Sequence, residues 1–313
     1  MTKIPIAFAF DSNLILPAAV TITSLLGNAR EETFYDIFIL HSSIEDLDHT
    51  YFDTLQAHYH NCRITFRTVG NEFDNSFEIR GITTPAYYRL LIPEIIPEYD
   101  KIIYADSDII FRMDLSELYS IDLGNNYIAA TRDLGINFNA DGQKHIHTLN
   151  GVKQGNYIQS GFIILNNKAI NKDNLVQNFK EKASLKLKYQ DQDILNLTCH
   201  DRILYLSLEY NMTDYSFDIA LNHPESIQEL FSQEVIKNAI DTGNLHFNGH
   251  KPWKKFSINF DIWWEYYRKS PIFDERFYFN FYWSRLDELD QLSLWKRIKI
   301  LGRYFIYGRK KPL

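Results

Sequence analysis

The sequence predicts an α/β fold: a mainly parallel central sheet flanked by helices, followed by a C-terminal aromatic and basic helical extension. Three observations predict it. Apolar, β-rich runs alternate with helical patterns from Ile4 to Val69, two later apolar runs read as further strands, and the composition changes beyond Trp253. In chain order, Ile4 to Phe10 is an apolar run of strand length, and a helix follows from about Pro17, whose missing N–H costs nothing in a first turn. Ile37 to Leu40 reads as the second strand, a helix begins near Glu45, and Ile64 to Val69 reads as the third strand. Lys101 to Ala105 is a strand that runs into Asp106, and Tyr157 to Leu165 is another. A helical pattern opens at Tyr189. Aromatics then crowd the segment Phe277 to Trp283, where they fill six of seven positions, and a basic tail follows. This places a soft boundary near residue 256 and divides the chain into 1–256 and 257–313.

With 313 residues, 45% hydrophobic and 23% charged, the chain can bury a core of ordinary size, which excludes disorder and collagen-like repeats. The formal charge of −7 is uneven. Residues 294–313 hold seven bases (Lys296, Arg297, Lys299, Arg303, Arg309, Lys310, Lys311) and no acid, which leaves −14 on the remainder. An acidic body disfavours nucleic acid, and a basic tail suits an anionic surface. The two cysteines, Cys62 and Cys199, match neither a disulfide framework nor a metal spacing, so a reducing, cytoplasmic setting is expected. The apolar run before Asp11 is too short for a signal peptide. The uncharged stretch Ser12 to Ala29, interrupted by Asn13 and Pro17, suits an amphipathic helix better than a membrane span, so any membrane contact is expected to be peripheral.

Asp106 and Asp108 leave a buried strand at i and i+2. In an extended segment such residues face one side, so both carboxylates can reach one cation. An ordinary turn, or a phosphatase-type aspartyl nucleophile, fits the same pair. His246, Gly249 and Lys251 lie within six positions and combine an imidazole, a residue that lets backbone approach a ligand, and a point charge for a phosphate. Two aspartates and a histidine favour a borderline ion such as Mn2+ over Ca2+. Asp191, Gln192 and Asp193 open a helical pattern, where acids also cap and complement the helix dipole. Asp11 and Asn13 follow the first strand, at the end where α/β sheets present ligand groups.

In this order, over roughly residues 4–253, these segments resemble glycosyltransferase family 8, the retaining enzymes of GT-A fold that include lipopolysaccharide hexosyltransferases. The resemblance implies a GT-A catalytic domain over 1–256 that uses UDP-galactose or UDP-glucose with Mn2+, or Mg2+ in its place. It implies that Ala9, Asp11 and Asn13 contact the uridine, that Arg89 holds the donor and that Ser107 lies near the ribose. Asp106, Asp108 and His246 would be the metal ligands, and Gly249 and Lys251 would bind the diphosphate. Asp133 matches a position near the transferred sugar, Asp191 would hold sugar hydroxyls, and Gln192 would sit beneath the anomeric carbon with Asp193 nearby. Two positions depart from the family pattern: Gly249 and Lys251 are one residue closer together than usual, and Gln159, before Ser160 and Gly161, replaces the usual asparagine at a sugar-contacting position. The alternatives carried alongside are an Asp-x-Asp phosphotransferase and a catalytically silent UDP-sugar-binding protein.

In the tail, Leu294, Ile298, Leu301 and Phe305 recur at spacings of four, three and four, with Lys296, Lys299 and Arg303 on another face. That pattern fits an interfacial helix on anionic lipid at the inner face of the plasma membrane, where a glycan or glycolipid acceptor would be found, and also fits a helix packed on its own acidic body.

Overall fold

A computed structural model describes residues 2–43, 47–73 and 84–307. Ten strands occur among them: β1 (Thr2–Ala9), β2 (Thr33–His41), β3 (Cys62–Thr68), β4 (Ile102–Ala105), β5 (Ile109–Ile110), β6 (Ile128–Arg132), β7 (Ile158–Leu165), β8 (Ile203–Tyr205), β9 (Met212–Thr213) and β10 (Leu245–His246). The helices that shape the site and the tail are α1 (Ile15–Gly27), α2 (Leu134–Phe138), α3 (Gln190–Cys199), α4 (Asp214–Asn222), α5 (Phe260–Lys269), α6 (Glu275–Asp290) and α7 (Leu294–Tyr307).

Seven strands form the main sheet in the order β3-β2-β1-β4-β7-β6-β8. The pairs β1/β2, β2/β3, β1/β4 and β6/β8 are parallel, whereas β7 runs antiparallel to both β4 and β6. The mainly parallel α/β sheet expected from the sequence is therefore present. Helices cover both faces, which is why Ile4 to Ala9 of β1 and Phe162 to Leu165 of β7 read as apolar runs rather than alternating ones. On β1, Ile4, Ile6 and Phe8 enter one core with Ala18, Ala19 and Ile22 of α1, while Ala7 and Ala9 enter the other with Ile194 and Leu195 of α3. The helix expected near Glu45 spans Thr50–His58, and Glu45 itself lies outside the described residues.

A second, three-stranded sheet in the order β5-β10-β9 pairs His246 with Ile109 in antiparallel register and with Thr213 in parallel register. The chain passes from the main sheet into this small one between β4 and β5. Asp106 and Asp108 therefore flank a turn at Ser107 instead of lying on one extended strand. The carboxylates still converge, but the change of sheet brings them together, not strand periodicity.

C-terminal to residue 256, Trp263, Trp264 and Tyr267 of α5 share a core with Val20, Ile110 and Leu134, and Phe281 of α6 joins them. Packing on the acidic body is not what the structure shows for α7: Leu294, Trp295, Leu301 and Phe305 all stay exposed, Phe305 at 84%. Arg309, Lys310 and Lys311 lie outside the described residues.

Candidate active site

The carboxyl ends of β1 and β4, the turn into β5, and the starts of α2, α3 and α4 surround a cavity of about 510 Å3. Ala9, Asp11, Arg89, Asp106, Ser107, Asp108, Asp133, Gln159, Ser160, Asp191, Gln192, His246 and Lys251, all expected from the sequence, line it. Asn13, Gly249 and Asp193 do not line it. Asn13 is exposed in the short turn that Asp11 caps, where the Asn13 amide donates to Asp11 Oδ1 at 2.9 Å. The Gly249 amide instead donates to Asp214 Oδ2 at 3.2 Å.

α1 positions the metal-type motif through polar groups that it buries. Thr21 Oγ1 donates to the Ser107 carbonyl at 2.8 Å, and Ser24 Oγ accepts from the Phe111 amide at 2.9 Å. The Asp106 amide donates to the Gly161 carbonyl at 2.7 Å, so the end of β4 is tied to β7 as well. From the small sheet, His246 Nε2 reaches 3.6 Å from Asp106 Oδ2 and 3.2 Å from Asp108 Oδ1. Asp106, Asp108 and His246 thus offer three donor atoms within 4.8 Å of one another. Two features of this chain fit a divalent cation there. Asp108 Oδ1 is buried without a hydrogen-bond partner. In addition, a Cβ on Gly161 would lie 2.3 Å from Asp106 Oδ2 and 2.4 Å from His246 Cε1, so glycine keeps the space between the ligands open. Two carboxylates and an imidazole form a donor set suited to an ion of the Mn2+ class.

Lys251 Nζ contacts Asp108 Oδ2 and donates to the Phe247 carbonyl at 2.6 Å, so its ammonium stands at the motif despite the shortened spacing. Burial pushes the Asp108 carboxyl up, but the ammonium outweighs this and holds it well below the usual carboxylate range. Arg89 is almost fully buried and engaged by protein: it donates to the Ala86 and Ser160 carbonyls and to Asp106 Oδ1, and its Nε lies 3.2 Å from Asp191 Oδ2. Its guanidinium clamps the metal-type motif to the start of α3.

Two acids at the start of α3 have different settings. Asp191 lines the cavity, and burial pushes its carboxyl up to about 6 although Arg89 pulls the other way. Asp193 is fully buried behind it, accepting from Tyr157 Oη at 2.6 Å, His145 Nε2 at 2.8 Å and the Tyr189 amide at 2.9 Å. Gln192 lies between them, held at both ends of its amide: Nε2 donates to Asp133 Oδ2 at 3.0 Å and Oε1 accepts from the Ser160 amide at 3.1 Å. Asp133 also caps α2 through the Ile136 amide at 2.9 Å, and burial raises its carboxyl above the ordinary value.

Sequence reasoning missed several contributors. Tyr104 Oη donates to Asp106 Oδ1 at 2.9 Å, His145 and Tyr157 anchor Asp193, and Asn211 Oδ1 lies 3.0 Å from His246 Nδ1. Tyr215 and Asn248 line the cavity. The pairing of aromatic and acid at Tyr104 and Asp106 was a usable signal, whereas nothing in the sequence around Asn211 or His145 marks either.

Comparison with known proteins finds similarity to glycosyltransferases. The family model for glycosyl transferase family 8 matches residues 5–257. Glycosyltransferase GlyE of Streptococcus pneumoniae is 26% identical over 279 residues, 85% of this chain and 61% of GlyE. The lipopolysaccharide glucosyltransferase WaaO of Escherichia coli is 25% identical over 268 residues, 82% of this chain and 74% of WaaO. The crystal structure of the galactosyltransferase LgtC with donor and acceptor sugar analogs superposes with a TM-score of 0.69 at 23% identity, over 87% of this chain and 98% of LgtC. The chain spans less than two thirds of the length of the first curated relatives it matches, at 64% and 61%.

Proposed function

The chain belongs to glycosyltransferase family 8, and on that premise we propose that it is a metal-dependent, retaining hexosyltransferase. It would move galactose or glucose from a UDP-sugar to a cell-surface glycan precursor such as a lipopolysaccharide, glycolipid or glycoprotein. The observation that carries this is the convergence of Asp106, Asp108 and His246, with a buried Asp108 oxygen that accepts no hydrogen bond, in the same cavity as Asp191 and Gln192. A divalent cation held by Asp106, Asp108 and His246 would act there as Lewis acid and template for the diphosphate leaving group. Lys251 adds a positive charge at the same place, and Arg89 holds Asp106 and Asp191 in fixed relation. Asp191 accepts hydrogen bonds from sugar hydroxyls, while the doubly anchored Gln192 supports the anomeric centre.

An amide is a poor nucleophile, and Asp193 is sealed by three donors with no exposed surface. This supports same-face attack: the anomeric C–O bond to the diphosphate breaks, the acceptor oxygen bonds from the same side, and its proton passes to a diphosphate oxygen. A covalent glycosyl adduct trapped on Asp191 would overturn that mechanism. The test of the activity is UDP release from a panel of UDP-sugars with and without Mn2+, for the wild type and Asp108→Asn. Metal-dependent hydrolysis of one hexose donor, lost in the variant, is expected; metal-independent release equal in both proteins would contradict the proposal.

We further propose that α7 seats the enzyme on an anionic membrane at the cytoplasmic face. Its exposed Leu294, Trp295, Ile298, Leu301 and Phe305, beside Lys296, Lys299 and Arg303, support this, as do the exposed Phe279 and Trp283 of α6. No helix among the described residues is long and apolar enough to cross a membrane.

A further inference from the structure

The polarity of one buried hydrogen-bond chain can be followed from a group whose chemistry is not in question to the proposed metal ligand. A backbone amide only donates, and the Gly161 N–H points at the Gln159 side chain at 2.6 Å, so the atom facing it is the amide oxygen Oε1. The same Oε1 is 2.8 Å from the Asn211 amide, which must therefore present Nδ2. That orientation leaves Asn211 Oδ1, an acceptor, 3.0 Å from His246 Nδ1. Nδ1 must then carry the hydrogen. The lone pair of the neutral ring falls on Nε2, the nitrogen aimed at Asp106 and Asp108. Every member of the chain is buried: Gln159 is 6% exposed, and Asn211 and His246 are each 2%. Water therefore does not offer alternative partners, and neither amide can flip without setting donor against donor at Gly161 or acceptor against acceptor between Gln159 and Asn211.

We infer that Gln159 and Asn211 are positioning residues that set the tautomer of His246 and so prepare its Nε2 as a metal ligand, with the Gly161 amide fixing the sense of the relay. This rests on the assignment of His246 to a metal site. It also gives a specific role to Gln159: with Oε1 committed to two donors, its Nε2 is turned away from the relay, and the residue lines the donor cavity. A side chain that accepts the other ring N–H of a ligating imidazole fixes ring orientation and raises ligand basicity, and its loss typically weakens metal affinity about 10- to 100-fold.

The tautomer is measurable without metal or substrate. A long-range proton–nitrogen correlation spectrum of the metal-free full chain should show a hydrogen on Nδ1 of His246, the nitrogen that faces Asn211 Oδ1. A ring whose only hydrogen lies on Nε2 overturns the inference. Mn2+ titration in the presence of UDP supplies the second readout. Asn211→Leu should weaken Mn2+ binding about 10- to 100-fold. Equal affinities in wild type and Asn211→Leu also overturn the inference. Should the wild type bind no Mn2+ at all, the metal-site assignment fails, and the spectrum still decides the relay on its own.

Discussion

Gly161→Ala is the substitution with the most sharply defined consequence. Gly161 sits in β7 with ordinary strand backbone, so alanine meets no conformational penalty there. Its Cβ, however, would lie 2.3 Å from Asp106 Oδ2 and 2.4 Å from His246 Cε1, where ordinary contact begins at 3.4 Å. Relieving that overlap moves two of the three proposed ligands by about 1 Å, and β7 cannot yield because it is the central antiparallel strand between β4 and β6. A misplacement of about 1 Å at a reacting centre costs about 100-fold, or about 2.7 kcal/mol of transition-state stabilisation. Overpacking removes a further ~1–3 kcal/mol of fold stability. The assay is Mn2+-dependent UDP release alongside Mn2+ titration, with urea unfolding to confirm that the variant is folded. A folded Gly161→Ala protein with wild-type Mn2+ affinity and turnover would refute the reasoning.

Three further outcomes are expected. Asp193→Asn leaves the Tyr157, His145 and Tyr189 donors facing an amide that can satisfy only part of them, so it should lower the unfolding free energy by about 3 kcal/mol, measured by urea denaturation; a stability equal to wild type would show that the cluster is not an anchor. Asp191, pushed by burial to about 6 from 3.8, holds its proton more tightly in the folded metal-free protein than in the unfolded chain. Its contribution to stability is therefore largest below about pH 4 and declines as pH rises toward 6, and Asp191→Asn should flatten the urea-midpoint profile across that window, whereas an unchanged slope would assign the effect elsewhere. Deleting residues 294–313 should abolish binding to anionic liposomes and spare donor hydrolysis; retained liposome binding would remove α7 from the membrane proposal.

The parts of the molecule that were legible in the sequence are those whose local signal and tertiary role agree. β1, β2, β4 and the second half of β7 are mainly apolar because helices bury both faces of the sheet there, so hydrophobic runs locate them, whereas the edge strand β3, interrupted by Arg63 and Arg67, is only half-buried. β5, β9 and β10 are two residues long and carry no periodicity, yet their pairing is what delivers His246 to Asp108. The antiparallel insertion of β7 was likewise invisible, since a buried strand reads the same in either direction. In the site, residues clustered in short motifs could be picked out together. Asn211, His145 and Tyr157 could not, because their partners lie 35 to 48 positions away and only the fold juxtaposes them. Asp193 shows the converse: its place beside Asp191 in sequence suggested a shared role, but about half a turn at the start of α3 points one acid into the cavity and the other into the core.

The most direct test of the central claim is electron paramagnetic resonance of Mn2+ bound to the full chain with UDP, resolving the hyperfine coupling of a directly coordinated nitrogen. One imidazole nitrogen coupled to the ion in the wild type, lost in His246→Ala, is the expected result. Mn2+ bound with UDP but showing no nitrogen coupling, or the same coupling in His246→Ala, would contradict a site built from Asp106, Asp108 and His246.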